Sequence, residues 1–390
     1  MNREWREAID MRSSLLNLGL VVVAAVLLRF WNLRHGAISP LEAQVVDPVL
    51  QLIHNGEYRP LALTHPTLPI YLQAFVAIVH FLWGAIGGTW RSVADYGPAQ
   101  VIGWGRAFSA LMGTAVVLIV YQIGMRWGAR HALLAAGLTA VSPIHVAASR
   151  EMANGSPLTF FVALTLLLSL IAIERRHRWS SAVAGAAAGL AAACHYAGAL
   201  VAVMPLIAVW MTIADESSRI SRAVIVLGAA FGVFVVATPL AVWDLPAFLN
   251  GVAAAALPAA HDIAGGVDLL SQLLLALQWP GSILVVAGLA LGITRAITGP
   301  GQVRWTLLVS FPVVYFTLAA RHGASASTAL LPLLPAAAVL AAVAVISGVS
   351  LLRRFDIPRA VRTALIAALT VAAVLPPAVV SIQIVLQTGR

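Results

Sequence analysis

PLTFFVALTLLLSLIAI, residues Pro157–Ile173, contains no charged side chain, and Glu174-Arg175-Arg176-His177-Arg178 follows it at once. An apolar run close to the ~20 residues that a helix needs to cross a ~30 Å hydrocarbon core, closed by a basic cluster, is the pattern of a transmembrane helix ending at a cytoplasmic face. The pattern recurs along the chain. Hydrophobic residues make up 61% of the 390 and charged residues 10%, with a mean hydropathy of +0.92. A soluble domain of this length needs far more charge to cover its surface. The Ala/Leu/Val runs do not alternate as the strands of a membrane barrel would. The expected fold class is therefore all-α and integral to the membrane.

The net charge of +9 comes from arginine alone, because the chain has no lysine. The arginines sit between apolar runs, as topology determinants do, which argues against nucleic acid as a partner. The single Cys194 excludes an internal disulfide and a multi-cysteine metal site. The first apolar run follows Arg3, Arg6 and Arg12 and lacks an A-x-A-like cleavage site, so it reads as a retained span.

Basic clusters at Arg126/Arg130, Arg175/Arg176/Arg178, Arg219/Arg222, Arg295/Arg304 and Arg353/Arg354/Arg359/Arg362 fit one cytoplasmic side if an even number of crossings separates each from the next. His131–Ala148 and Pro157–Ile173 then meet outside at Ser149–Ser156, and two shorter spans hinge near His195-Tyr196. Parity is kept most simply if residues 31–106 form one extracytoplasmic loop, with the apolar stretch 69–87 inside it as a re-entrant or interfacial helix, the alternative being an ordinary crossing. The reading is one transmembrane domain, 1–390, of about eleven helices. Its amino terminus is cytoplasmic and its carboxyl terminus extracytoplasmic, in the cell inner membrane. Ala-rich stretches such as Ser181–Ala193 and Ala253–Ala260 read as small-residue faces that permit close helix packing in lipid.

An ionisable group near apolar spans is costly unless paired or hydrated, which makes it a functional candidate. Arg34, His35, Glu42, Asp47, His54, Glu57, Arg59 and His65 fall in the first loop. Arg150, Glu151 and Asn154 fall in the second, His195 and Tyr196 at the hinge, and Asp244, His261, Asp262, Asp268, Arg321 and His322 beyond. Such a gathering on one side suits a reaction on an anionic substrate. Ser39-Pro40 is a helix-start signal that places Glu42 in a first turn, either to favour the helix dipole or to act as a general base. Arg150-Glu151 reads as a headgroup-level ion pair or an anion site. His195 interrupts an Ala-rich hairpin, as a structural residue or a phosphate ligand. His65 precedes a Pro-initiated helix and orients a phosphate or ends a loop. No segment shows H-x-x-x-H spacing, so no metal site is expected.

The order of motifs adds more than any one of them. Arg29-Phe30-Trp31-Asn32-Leu33 is followed by Glu42, Asn55-Gly56-Glu57-Tyr58, His65-Pro66-Thr67-Leu68-Pro69 and Arg106-x-x-Ser109-Ala110-Leu111. Then come Ser142-Pro143, Ser149-Arg150, Thr159-Phe160-Phe161, His195-Tyr196, Thr238-Pro239, Asp244-x-Pro246-x-Phe248 and Leu330-Leu331-Pro332-Leu333-Leu334-Pro335. From Arg29 to Pro335 this series resembles the GT-C superfamily of glycosyltransferases. The similar branch is that of the dolichyl-phosphate-mannose protein mannosyltransferases and bacterial aminoarabinose transferases. The resemblance implies transfer of a sugar from a polyprenyl-phosphate donor to an acceptor on the extracytoplasmic side.

It also implies roles for single residues. The family's Asp-Glu pair reads Leu41-Glu42 here, which leaves Glu42 as the implied catalytic base. The family's Lys-Pro-Pro reads His65-Pro66-Thr67, and its Thr-Lys reads Cys194-His195, so histidines replace both phosphate-facing lysines. Donor phosphate is implied at Arg150, His195 and His65, and other substrate contacts at Glu151, Tyr196 and Asp47. Phosphate leaves readily, so no cofactor is required, and a divalent cation is left open. Expected partners are the polyprenyl-phosphate-linked sugar, the bilayer and membrane protein subunits. A catalytically inactive GT-C subunit that binds lipid or scaffolds a complex is the alternative reading. A transporter would predict inverted repeats and broken mid-membrane helices.

Overall fold

The computed structural model describes residues 3–33, 36–58, 63–256, 264–321, 330–352, 354–355 and 358–387, with side chains left aside at 3–14, 255–277 and 319–321. Described residues form only helices and their connections. In chain order the α-helices are α1 (Arg3–Phe30), α2 (Pro40–Asn55), α3 (Leu68–Ile86), α4 (Pro98–Gly124), α5 (Ala129–Ala140) and α6 (Pro143–Ser149). Next are α7 (Gly155–Arg175), α8 (Arg178–Cys194), α9 (Val203–Thr212), α10 (Glu216–Ala237), α11 (Leu240–Trp243) and α12 (Leu245–Ala256). The last four are α13 (Ala264–Thr298), α14 (Gln302–Arg321), α15 (Leu334–Leu352) and α16 (Arg359–Gln387). Among the described residues seven helical segments are long and apolar enough to cross a membrane, and the bent pair α5–α6 makes an eighth. The apolar stretch placed at 69–87 is the 19-residue α3, one of those seven by length and composition. The protein is a multi-pass membrane protein.

Residues 131–148, read from the sequence as one span, are broken. The axes of α5 and α6 differ by 60°, and the cause is local. Pro143 has no N–H to bond the Thr139 carbonyl and pushes Ser142 to an extended conformation (φ −64°, ψ 118°). The bend strips the carbonyls of residues 139, 140 and 141 of their helical donors. Other helices supply substitutes. Arg29 of α1 donates to Thr139 O at 3.2 Å and to Ala140 O at 3.0 Å, and Ser381 of α16 donates to Val141 O at 2.8 Å. The break therefore leaves these three carbonyls bonded, and it turns the chain towards Arg150 and Glu151.

The Ala-rich α8 packs as its composition predicts. A Cβ on Gly185 would lie 2.4 Å from the Val226 carbonyl oxygen, and one on Gly189 would lie 2.2 Å from that of Ala230. Two glycines four apart thus let α8 and α10 meet backbone to backbone, which in lipid replaces the hydrophobic drive that water would supply. At its far end α8 stops at Cys194. His195 is extended, and a 3₁₀ turn, Tyr196–Ala202, leads into α9, as the expected hinge requires.

Candidate active site

The site grows from the start of α2. Ser39 caps the helix: its Oγ accepts from the Glu42 amide at 3.2 Å, and its own amide donates to Glu42 Oε2 at 3.0 Å. This reciprocal pair fixes the Glu42 side chain against its own helix end. Arg106, from the first half of α4, then grips the carboxylate with a fork. Its Nε donates to Oε1 at 2.7 Å and its Nη2 to Oε2 at 2.8 Å. Two further guanidinium donors reach the carbonyls of Leu33 and Ala37, both at 3.1 Å. Finally the Met152 amide, in the turn between α6 and α7, donates to Oε1 at 3.1 Å. Glu42 is 1% exposed and accepts four hydrogen bonds, which occupies the roughly four lone-pair sites of a carboxylate. Burial alone would raise its pKa, but the Arg106 fork and the Ser39 and Met152 amides outweigh it and hold the carboxyl below its usual range.

A second carboxylate sits at the rim of this knot. Glu151 is half-buried, immediately before Met152 in the same turn. Burial first, and the neighbouring Glu42 charge second, raise its pKa, with Arg106 opposing. Its carboxylate takes no hydrogen bond among the described residues. Its other neighbour, Arg150, turns away: Nη1 donates to the carbonyls of Trp31 at 2.7 Å and Leu28 at 3.3 Å. Arg150 thus closes the carboxyl end of α1.

A histidine pair forms elsewhere in the fold. The rings of His65 and His195 lie 5.6 Å apart, centroid to centroid. His195 Nδ1 accepts from the Ala197 amide at 3.2 Å, so the neutral ring carries its proton on Nε2. His65 Nδ1 donates to Thr64 O at 2.7 Å. Tyr196 donates through its hydroxyl to Leu63 O at 2.6 Å, which ties the hinge to the loop carrying His65. Burial, and then the His65 charge, push His195 down to about 4.

Helix lengths place both groups at the same end of the bundle. Arg106 lies 18 residues before the end of α4, and Glu151 precedes the 21-residue α7, so both stand ~30 Å from the Arg126 and Glu174 end. His195 follows the 17-residue α8, which starts from that same far end at Arg178. The structure therefore joins Glu42 to Glu151, and His65 to His195 and Tyr196. It does not bring Asp47 in. That residue is exposed, about 140° round α2 from Glu42. Candidates Arg34, His35, Arg59, His261, Asp262 and His322, and the side chains of Asp268 and Arg321, lie outside the described residues.

Two partners were missed by the residue reading. Arg106 was noted only as part of a motif, although an arginine inside an apolar run signals a buried counter-ion. Arg29 is 0% exposed and faces His145 Nδ1 at 2.8 Å. No local pattern announces that contact. Among the described residues no three His, Cys, Asp or Glu side chains converge as a cation site would need, so no metal is assigned.

This is a polytopic helical bundle with an acid–arginine centre and a histidine pair at one end. The family described as dolichyl-phosphate-mannose-protein mannosyltransferase matches residues 102–243, a segment that holds Arg106, Glu151 and His195 but not Glu42 or His65. Among solved structures, the oligosaccharyltransferase AglB from Archaeoglobus fulgidus, in complex with an inhibitory peptide and a dolichol-phosphate, is similar over 97% of this chain, at 14% identity and a TM-score of 0.64. This chain spans 56% of that protein's length. ArnT from Cupriavidus metallidurans, bound to undecaprenyl phosphate, is similar over 96% of this chain and 73% of its own, at 16% identity and a TM-score of 0.58. No curated protein sequence matches the chain. The matching family and folds lie within the GT-C glycosyltransferase superfamily, and this chain has the GT-C fold.

Proposed function

We propose that the protein transfers a sugar from a polyprenyl-phosphate donor to an acceptor at the Glu42 end of the bundle, on the extracytoplasmic face. The observation that carries this reading is the placement, at the same end of a GT-C fold, of two carboxylates around Arg106 and of a histidine pair. Acids near a sugar and neutral or cationic donors near its phosphate are what phosphate displacement needs. His195, neutral at pH 7, offers Nε2–H to a phosphate oxygen, and His65 stands beside it. Arg150 adds positive charge while it holds α1. Tyr196 keeps the hinge and the His65 loop together. Glu42, with its acceptor capacity filled, serves to lock the first loop, α4 and the second loop into one frame.

The test is transfer by the full chain in proteoliposomes, using undecaprenyl-phosphate-linked mannose, glucose and aminoarabinose as donors. Transfer is expected from at least one. Replacing His195 with Phe should raise the donor KM by roughly tenfold, the worth of about one lost hydrogen bond. His195→Gln, which keeps a donor, should recover most of it. No transfer with any donor would favour a second reading, a catalytically inactive subunit. The presence of Leu41 where the resembling families carry an acid speaks for that reading.

A further inference from the structure

The two carboxylates at Arg106 share one site but not one environment. Glu42 accepts from Arg106 twice, from Ser39 and from Met152, and has no lone pair to offer a substrate. The Glu151 carboxylate accepts from no described residue and the side chain is half-buried, neither sealed in the core nor dissolved in solvent. The peptide that follows it is pinned, because the Met152 amide is the one that donates to Glu42. Glu151 is therefore held at the rim of the knot by a fixed backbone, with its carboxylate open. Among the described residues the charged groups that face it are Glu42 from α2 and Arg106 from α4, with Arg150 beside it in sequence. A general base needs a free lone pair and a fixed position, and Glu151, half-buried rather than sealed in the core, has both.

We propose that Glu151 is the general base of the transfer, a conclusion that rests on the glycosyl-transfer reading above. As the acceptor approaches, its O–H proton passes to a Glu151 oxygen. The acceptor oxygen forms a bond to the anomeric carbon as the bond from that carbon to the phosphate oxygen breaks. The electron pair leaves with the polyprenyl phosphate, and Glu151 later releases the proton to water. Attack opposite the leaving group inverts the anomeric centre. The upward pull of burial and of Glu42 on Glu151 suits this task, because it brings the base nearer the working pH, while Glu42 stays ionised.

The experiment compares Glu151→Gln, Glu151→Ala and Glu42→Gln with the parent, all as full-length protein in proteoliposomes with the donor found above. Glu151→Gln should melt with the parent, since it breaks no hydrogen bond. Its kcat should fall about 10²- to 10⁴-fold with donor KM unchanged, the usual worth of a positioned base. The acid limb of the parent's kcat/KM profile should lie above the ordinary glutamate value of about 4.3 and vanish in this variant. Azide, a nucleophile that needs no deprotonation, should restore turnover to Glu151→Ala as glycosyl azide and should not rescue Glu42→Gln. Full activity and an unchanged acid limb in Glu151→Gln overturn the proposal, as does azide rescue confined to the Glu42 variant. A parent that transfers no sugar at all is a different result, and removes the underlying function.

Discussion

Glu42 meets Arg106, and Glu174 meets Arg126 and Arg304, ~30 Å apart at opposite ends of the bundle. Glu42 is 1% exposed, and Arg106 reaches it at 2.7 Å with a two-pronged fork that backbone amides complete. Glu174 is 36% exposed, and Arg126 and Arg304 stand off at 3.4 and 3.7 Å. The residue types are the same, so the difference lies in desolvation and geometry. In the buried pair, every donor and acceptor left by one partner's loss stays out of water. At the exposed cluster water replaces whatever is removed. The first arrangement holds three chain segments in register. The second adds little beyond marking a helix end.

The comparison can be broken most severely at Glu42. Replacing it with Ala leaves Arg106 charged, buried and half-bonded. We expect a loss of about 3–5 kcal/mol, read as a fall in the melting temperature of the detergent-solubilised protein. Sugar transfer should disappear with it. Arg106→Lys is the next largest, because an ammonium cannot reproduce the fork. A loss of about 1.5–3 kcal/mol is expected, the worth of one charge-assisted hydrogen bond. A cycle of Glu42→Gln, Arg106→Met and the double variant should show strong coupling, and additive effects would contradict the buried-pair account.

Acid separates the two ends next. The folded pKa of Glu42 lies below its unfolded value, so its contribution is complete above about pH 4.3 and is lost as pH falls through the folded value. Acid melting curves of the parent should therefore steepen below about pH 4, and Glu42→Gln should lack that component. The smallest effect belongs to Glu174→Gln. A change of under about 1 kcal/mol is expected, shrinking further as salt rises. An effect as large as that of Glu42→Ala would erase the contrast.

Much of the architecture could be read from the chain because lipid imposes a local rule. A span must be apolar along its whole length and must satisfy its backbone within itself. Pro157–Ile173 meets that rule without reference to any other residue, and α7 forms there. The Gly185 and Gly189 face announced close packing because small residues have few other uses in lipid. The break near His195 and the capped start of α2 were likewise written in short motifs.

Partner choice was beyond local reading. Glu42 looked like a free acid in a helix first turn, yet its partners come from 64 and 110 residues away. Arg150 read as one half of an ion pair or as an anion site, and nothing local announced that the end of α1 lies under its guanidinium. Residues 131–148 looked continuous because the cost of Pro143 depends on who accepts the freed carbonyls, and Arg29 and Ser381 do. Hydropathy, caps and prolines act over a few residues, so the sequence by itself determined that the protein is a membrane bundle and where a span such as Pro157–Ile173 runs. Desolvation and hydrogen-bond satisfaction depend on every neighbour in space. Only the tertiary structure decided that Glu42 is bound and Glu151 is open.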